Sequence, residues 1–362
     1  MKIRDIRGYV LGIERAPYKW RKGHPSGGSR RDPFLLQVIT DTGLEGYCMA
    51  ITAADELALA VEKHLKPAVL GADVADRERL WQKLWDMGRG VPSLQPAQAV
   101  FDVALWDLAA KRASLPLYQY LGAYRHAMLA YASTFTQDSV EDYRRLARDC
   151  VQRGYKGIKL HLFGDVREDI EACRAVRDEV GPGIGLMIDA SAAYNYDQAL
   201  WAGRQLETLG FLWFEEPLRD YTMHSLSQLR SKLDIPLCVN ETGRDNVFDV
   251  ANNVLLNTGS IMHSGWQRKS GVTGLMKIAH TCEAFGLKMQ LHRGEIPNLH
   301  VGLAVQNCDW FESIVPEDSF HFCLRTPPVA PDSDGLVRPP PGPGLGYDID
   351  WDEVERVAVR RV

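Results

Sequence analysis

The chain has 362 residues, of which 45% are hydrophobic and 25% charged. This composition excludes a disordered or collagen-like chain, and no apolar run approaches the roughly 20 residues that span a bilayer. The net charge of −5 gives no basic field for nucleic acid, so we expect neither a nucleic-acid nor a membrane partner. Seven cysteines without regular spacing, and a polar start instead of a signal peptide, favour a cytoplasmic protein with reduced thiols.

The first part of the chain, residues 1–125, predicts an α+β domain. An opening strand from Met1 is followed by two strands, Phe34–Ile39 and Leu44–Met49, joined by a tight turn as a hairpin. Between the opening strand and the hairpin, residues 19–31 are rich in glycine and charge, which is typical of a flap rather than a regular element. The apolar stripe of Ala97–Ala113 predicts a helix.

Residues 126–320 predict a different architecture, because short apolar strands alternate there with helical stretches. Repeated βα units of this kind favour a parallel sheet closed into a barrel. The tail, residues 321–362, is rich in proline, and we expect it to return to the first domain. The predicted strands are Leu129–Ser133, Gly157–His161, Gly185–Asp189, Phe211–Glu215, Ile235–Asn240, Gly259–His263, Leu287–Leu291 and Trp310–Ile314.

Acidic residues end three successive strands of this series: Asp189 in LMIDA, Glu215 in WFEEP and Glu241 in CVNET. A single acid at a strand end can simply cap the next helix. Three in register would crowd like charges at the functional end of a barrel, which a cation makes tolerable. An all-oxygen set suits Mg²⁺ better than Zn²⁺. Glu216 competes with Glu215, because strand alternation predicts that only one of the two points inward.

Candidate acids and bases surround this predicted metal site. Lys159 and His161 lie two residues apart on one strand, and therefore on the same face. A buried lysine is rare without a partner, so Lys159 is a candidate functional group, and His161 gains weight from its neighbour. His292 and Glu312 end two later strands.

The order of these motifs resembles that of the enolase superfamily, and within it the mandelate racemase branch. The likeness runs through FDVALWDLAAKRASLPLYQYLG, GYKGIKLH, LMIDA, WFEEPL, PLCVNE and SGVTG to Glu312. The resemblance implies a modified (β/α)7β TIM-type barrel, of the α/β class, with an α+β capping domain. It also implies Mg²⁺ at Asp189, Glu215 and Glu241, and a small-molecule carboxylate substrate. Relatives suggest a homo-oligomer.

In this family the proton α to a carboxylate is removed, and a divalent cation stabilises the resulting enolate. Lys159 matches the first lysine of the branch's KxK motif, and His161 stands where the second usually is. The KxH form is similar to that of some sugar-acid dehydratases. Glu312 matches the acid that hydrogen-bonds the substrate carboxylate.

The sequence departs from the branch at the partner of His292. An aspartate is expected five residues before a GG pair, which here reads Ser270-Gly271, and that position is Gly265. The muconate lactonizing branch would have a lysine there instead. Without an orienting carboxylate, the tautomer and basicity of His292 are less well fixed. Asn240 is a smaller departure, because many relatives have glycine at that position.

The leading hypothesis is a Mg²⁺-dependent lyase that dehydrates a sugar acid, with Lys159 or His161 as base and His292 as a candidate acid. A racemase, epimerase or cycloisomerase is second, because racemisation needs competent bases on both faces. A non-catalytic metal-binding homologue is third. Basic and aromatic side chains of the flap, Trp20, Arg21 and His24, are candidates for binding a polyhydroxylated anion.

Overall fold

A computed structural model describes residues 1–14, 30–241, 246–317 and 321–362. The predicted flap residues Trp20, Arg21 and His24 lie outside these ranges. Across the described residues, no helix combines the length and apolar character that crossing a bilayer requires.

The N-terminal part forms the cap. Its strands are β1 (Ile3–Leu11), β2 (Ile13–Glu14), β3 (Arg30–Arg31), β4 (Phe34–Thr40) and β5 (Glu45–Ala50). Its helices are α1 (Ala54–Ala60), continued by a π-helical turn Val61–Leu65, then α2 (Lys66–Val69), α3 (Arg77–Gly88), α4 (Leu94–Arg112) and α5 (Leu117–Tyr120). The β4–β5 hairpin and the long helix were both predicted.

The barrel follows. Its strands are β6 (Met128–Thr134), β7 (Gly157–His161), β8 (Gly185–Asp189), β9 (Trp213–Glu215), β10 (Leu237–Val239), β11 (Ile261–Ser264), β12 (Lys288–Leu291) and β13 (Trp310–Val315). One helix follows each of the first seven: α6 (Val140–Gln152), α7 (Val166–Val180), α8 (Tyr196–Thr208), α9 (Met223–Arg230), α10 (Asp249–Leu255), α11 (Gly271–Ala284) and α12 (Ile296–Ala304). The predicted (β/α)7β barrel is therefore confirmed.

Parallel ladders join the barrel strands in the order β12-β11-β10-β9-β8-β7-β6-β13, and β12 contacts β13 at the seam. Inside the barrel, one buried layer consists of Tyr131, Met187, Trp213, Cys238 and Ile261, with Trp310 packed against it. This apolar layer fills the interior below the strand ends, so polar side chains collect at the mouth.

The C-terminal segment contains β14 (Leu336–Val337), α13 (Trp351–Val357) and β15 (Ala358–Arg361). β14 pairs with barrel strand β6. β15 completes an antiparallel cap sheet with the order β15-β1-β4-β5. The tail therefore contacts both the barrel and the cap.

Candidate active site

The carboxyl ends of β7, β8 and β9 lie side by side at the barrel mouth. His161 is in register with Asp189, and Asp189 with Glu215. Register of parallel strands brings residues that are far apart in sequence to one edge, which is why the spacing of the acids was informative. Glu241 follows the end of the next strand, β10.

Carboxylate oxygens of Asp189, Glu216 and Glu241 lie within 4.8 Å of one another. Two ligands of Mg²⁺, each about 2.1 Å from the ion, lie at most about 4.2 Å apart, so this cluster needs only a small contraction to bind the ion. Burial, together with the nearby Glu241 and Asp189 carboxylates, raises the pKa of Glu216 well above its ordinary value. A divalent cation would relieve the crowding of these three carboxylates, and the donor set fits Mg²⁺.

Glu215 and Glu216 are both buried at the mouth, so the expectation that only one of them points inward was wrong. Glu216 lies just beyond the end of β9 and has a left-handed φ of 40°. The alternation of faces holds only within an extended strand. A left-handed residue re-aims the side chain, and both carboxylates reach the site.

Glu215 is held by groups inside the barrel. Its Oε1 lies 2.6 Å from Lys159 Nζ and 3.2 Å from His263 Nδ1, and Trp213 Nε1 donates to its Oε2 at 3.0 Å. Burial raises the pKa of Glu215 to about 7, although His263 and Lys159 oppose the rise. Glu215, Cys238 and His263 form a second group of potential ligand atoms within 4.8 Å. Since Lys159 already neutralises Glu215 there, the all-oxygen group is the better cation site.

Lys159 is fully buried between carboxylates. Its Nζ lies 2.6 Å from Glu215 Oε1, 2.8 Å from Glu312 Oε1 and 4.0 Å from Asp189 Oδ2. Burial alone would lower the pKa of Lys159, but Glu215 and Glu312 outweigh it and the pKa lies well above its ordinary value. The ammonium therefore carries a charge that helps to hold three strand ends together.

His161 faces Asp189. Its Nε2 lies 2.9 Å from Asp189 Oδ2, and its Nδ1 lies 2.7 Å from the Thr134 carbonyl oxygen. Burial opposes ionisation of the ring, but Asp189 raises the pKa of His161 above its ordinary value. For Asp189, burial acts upward on the pKa, but His161 and Lys159 lower it to about 2. The predicted same-face pair of Lys159 and His161 thus meets the carboxylate cluster directly.

Glu312 is the third residue of β13 rather than its end, since the strand continues to Val315. Its carboxylate accepts hydrogen bonds from Lys159 Nζ and from the backbone N–H of Arg293. Burial acts upward on the pKa of Glu312, but Lys159 and His292 lower it below the ordinary value.

His292 lies on the opposite side of the mouth from β7. Its Nε2 is 3.2 Å from Glu241 Oε1. A Cβ atom placed on Gly265 would lie 3.6 Å from His292 Nδ1, so a side chain at this position would contact the ring, and glycine supplies none to orient it. Burial lowers the pKa of His292 to about 3, although Glu241 opposes the fall. His292 is therefore a weak base in this arrangement.

His263 is a site residue that the sequence analysis missed. It is fully buried and its ring packs edge-on against that of His292 at 5.3 Å. Its Nδ1 lies 3.5 Å from Glu241 Oε2 in addition to its contact with Glu215. Burial opposes its ionisation, but Glu215 and Glu241 raise the pKa of His263 to about 9. The available signal was strand periodicity, because His263 is two residues before Gly265 and so shares its face.

Comparison with known proteins gives matches over most of the chain. A family model described as Enolase C-terminal domain-like matches residues 142–354. A second, described as Mandelate racemase / muconate lactonizing enzyme, N-terminal domain, matches residues 28–122.

Individual relatives include both dehydratases and racemases. An arabinonate dehydratase from Saccharolobus solfataricus is 29% identical, with 96% of each chain covered. An N-succinyl-L-Arg/Lys racemase from Bacillus cereus is 24% identical, covering 99% of this chain and 98% of the relative. The crystal structure of a D-glucarate dehydratase from Agrobacterium tumefaciens, complexed with magnesium, is 35% identical. It covers 99% of this chain and 100% of that chain, with a TM-score of 0.90.

Proposed function

Because the chain belongs to the enolase superfamily, in its mandelate racemase branch, we propose that it is a Mg²⁺-dependent dehydratase of a sugar acid. The observation that carries the proposal is the asymmetry between the two sides of the mouth. On one side Lys159 contacts Glu215 and His161 contacts Asp189. On the other, His292 contacts Glu241, but Gly265 offers no side chain to orient its Nδ1. Dehydration can proceed from one face, but racemisation needs two competent bases.

We propose that Asp189, Glu215 and Glu241 hold Mg²⁺ together with Glu216, whose carboxylate lies in the same all-oxygen group as those of Asp189 and Glu241. Glu215 would reach the ion by sharing its carboxylate with Lys159. Mg²⁺, when bound, supplies a Lewis acid for the substrate carboxylate. Glu312, from β13, can hydrogen-bond the same carboxylate when it is protonated, which the negative charge of the bound substrate would favour. Even-numbered assembly, which the resemblance implies, stays a prediction.

We assign proton removal to His161. It ends β7 and lies nearer the mouth than Lys159, which is two residues deeper in the strand. Lys159, held between Glu215 and Glu312, keeps a positive charge beside the reacting carboxylate. For this step His161 Nε2 exchanges its contact with Asp189 for the α-proton of the substrate. It then returns a proton to the departing β-hydroxyl on the same face, so the net products are a 2-keto-3-deoxy acid, after tautomerisation of the enol, and water.

The proposal is tested by incubating the protein with Mg²⁺ and a library of sugar acids in D₂O, and following keto-acid formation and deuterium exchange by NMR. We expect keto-acid formation that stops in excess chelator. Lys159→Ala and His161→Asn should each lower turnover by about 10³-fold. His292→Asn should lower it by less than about tenfold, which makes it the matched control.

Two results would contradict this proposal. Deuterium exchange or epimerisation without keto-acid formation would favour an isomerase. Retained exchange with lost elimination in His292→Asn would make His292 the general acid, so that elimination uses both faces.

A further inference from the structure

A cavity of about 200 Å³ lies beside His292, between the cap and the barrel mouth. Thr52 lines it from the cap, and Gly265, Arg268, His292, Arg293 and Glu295 line it from the barrel. His292 also contacts Glu241 at 3.2 Å. It therefore stands at the boundary between this cavity and the carboxylate cluster, and a substrate chain that passes His292 reaches the cavity.

Arg293 gives the cavity a positive group for which the described residues supply no anionic partner. Among the described residues, no carboxylate forms an ion pair with its side chain, and its Nε is buried without a hydrogen-bond partner. Its backbone has a left-handed φ of 74°, and its N–H donates to Glu312. A partly buried guanidinium without an acceptor is unfavourable unless a ligand supplies one, and carboxylates match its planar donors best.

The other groups of the cavity leave room for such a ligand. The acidic side chain there, Glu295, already accepts a hydrogen bond from Trp266 Nε1. Arg268 adds a second guanidinium to the lining. Because Gly265 has no side chain, the wall beside His292 Nδ1 is bare. His292 and Arg293 line the same cavity, so a ligand bound there can contact both residues.

We infer that this cavity binds a second carboxylate of the substrate, so that the substrate is a dicarboxylic sugar acid, an aldarate, rather than an aldonate. The inference rests on the proposed function, which places the first carboxylate at the Mg²⁺ residues. The chain between the two carboxylates then passes His292. An aldonate ends in a neutral hydroxymethyl group and would leave Arg293 unpaired, which costs affinity.

The test measures equilibrium binding by titration calorimetry in the Lys159→Ala protein with saturating Mg²⁺, so that turnover does not interfere. The probes are matched acids of one configuration, galactarate with galactonate and glucarate with gluconate. We expect the aldarates to bind at least about tenfold tighter. Adding Arg293→Met should weaken aldarate binding by about 10²-fold and aldonate binding by less than about threefold.

Two further variants make the result specific. Arg293→Lys keeps the charge but loses the planar pair of donors, so we expect an intermediate loss of aldarate affinity. Arg79→Met is the control, because Arg79 is an exposed surface residue with 85% of its side chain accessible, and it should change neither affinity. Thermal melting of each variant reports whether it is folded.

The inference is overturned if aldarates bind no tighter than the matched aldonates, if neither class binds, or if Arg293→Met weakens both classes equally. Failure of the proposed function looks different. Tight, Arg293-dependent aldarate binding without dehydration by the wild-type protein would contradict the dehydratase assignment and support the inference. Dehydration of aldonates but not of aldarates by the wild-type protein would support the dehydratase assignment and contradict the inference.

Discussion

At the ends of four barrel strands the backbone enters the left-handed region at a residue other than glycine. The residues are Ser191 and Ala192 after one strand, then Glu216, Asn240 and Arg293, with φ of 45°, 54°, 40°, 79° and 74°. Each such residue costs about 1–3 kcal/mol, and the strain persists only where the surrounding structure enforces it. At Glu216 the left-handed backbone directs the carboxylate to the group with Asp189 and Glu241. At Arg293 it directs the backbone N–H to Glu312. Part of the backbone strain therefore lies where we place the chemistry, although other left-handed residues, such as Ser114 and Asn257, lie elsewhere in the fold.

The left-handed backbone of these residues could not be predicted from the sequence, whereas the faces and ends of the strands could. Period-two alternation placed Lys159 and His161 on one face, and strand ends placed Asp189 and Glu241 together. Glutamate and arginine have no preference for a left-handed backbone, so the inward direction of the Glu216 side chain could not be predicted. His263 was missed because its partners come from three other strands.

The absence of a side chain at Gly265 yields a prediction about this single position. A Cβ there would lie 3.6 Å from His292 Nδ1 and 3.3 Å from the His292 carbonyl oxygen, so Gly265→Asp fits with a small shift. The new carboxylate should orient His292 and increase its basicity. We expect the rate of α-deuterium exchange from the His292 face to rise by about tenfold, as measured by NMR in D₂O.

Gly265→Asn is the control for that change, because its amide fills the same space without stabilising a charged imidazole. Equal exchange rates in the two variants would contradict the idea that an absent carboxylate is what makes the His292 face weak. Gly265→Asp should also reduce the space for a second substrate carboxylate.

Among the elements, helix α4 of the capping domain provides the hydrogen-bond acceptor at the N-terminus of barrel helix α11. Ser270, which precedes α11, has a left-handed φ of 57° and makes no side-chain capping bond. Instead, the Asp102 carboxylate accepts from the Thr273 N–H at 2.9 Å and from Thr273 Oγ1 at 2.6 Å. A Cβ on Gly271 would lie 2.3 Å from Asp102 Oδ2, so glycine is required there. The apolar stripe of α4 predicted the helix but not this buried acid, whose partner is distant in sequence.

This contact predicts a pH dependence of stability. Burial raises the pKa of Asp102 from 3.8 to about 7, so between these values the unfolded chain is ionised while the folded protein holds the proton. The contribution of Asp102 is present below pH 4 and is lost as the pH rises to about 7, by at most about 1.4 kcal/mol per pH unit. Asp102→Asn should remove this slope.

The measurement is the free energy of unfolding from denaturant titrations at several pH values in this window, compared between wild type and Asp102→Asn. Other buried acids titrate in both proteins and cancel in the difference. Asp309→Asn serves as a control, because that side chain is 45% exposed and pairs with Lys288. A difference between wild type and Asp102→Asn that stays constant with pH would contradict the prediction.

At the scale of the whole molecule, the two ends of the chain meet in the cap. The N–H and carbonyl groups of Gly8 and Val362 exchange two hydrogen bonds of 2.9 Å. On the way there the tail pairs β14 with β6, and the Leu345 N–H donates to Asp107 of α4 at 2.8 Å. The return of the tail was an expectation about a proline-rich segment, and the repeat of strands and helices was sufficient to predict only the barrel. It could not give these contacts, because they join residues that follow no local pattern.

These contacts bear on the predicted barrel unit, residues 126–320. Expressed alone, it lacks β14 on β6 and the Asp102 cap of α11. It also lacks Arg125, whose Nη2 donates to the Gln306 carbonyl at 2.9 Å just beyond α12. Losing a helix cap costs about 0.5–2 kcal/mol, and several such losses together approach the 5–15 kcal/mol that stabilise a typical protein.

We therefore expect residues 126–320 to show no cooperative thermal unfolding by circular dichroism, whereas the full chain does. Residues 126–362 restore β14 but not α4, and should also fail to unfold cooperatively. A cooperative transition of the 126–320 fragment near the melting temperature of the full chain would show instead that the barrel folds independently and that the cap serves only the site.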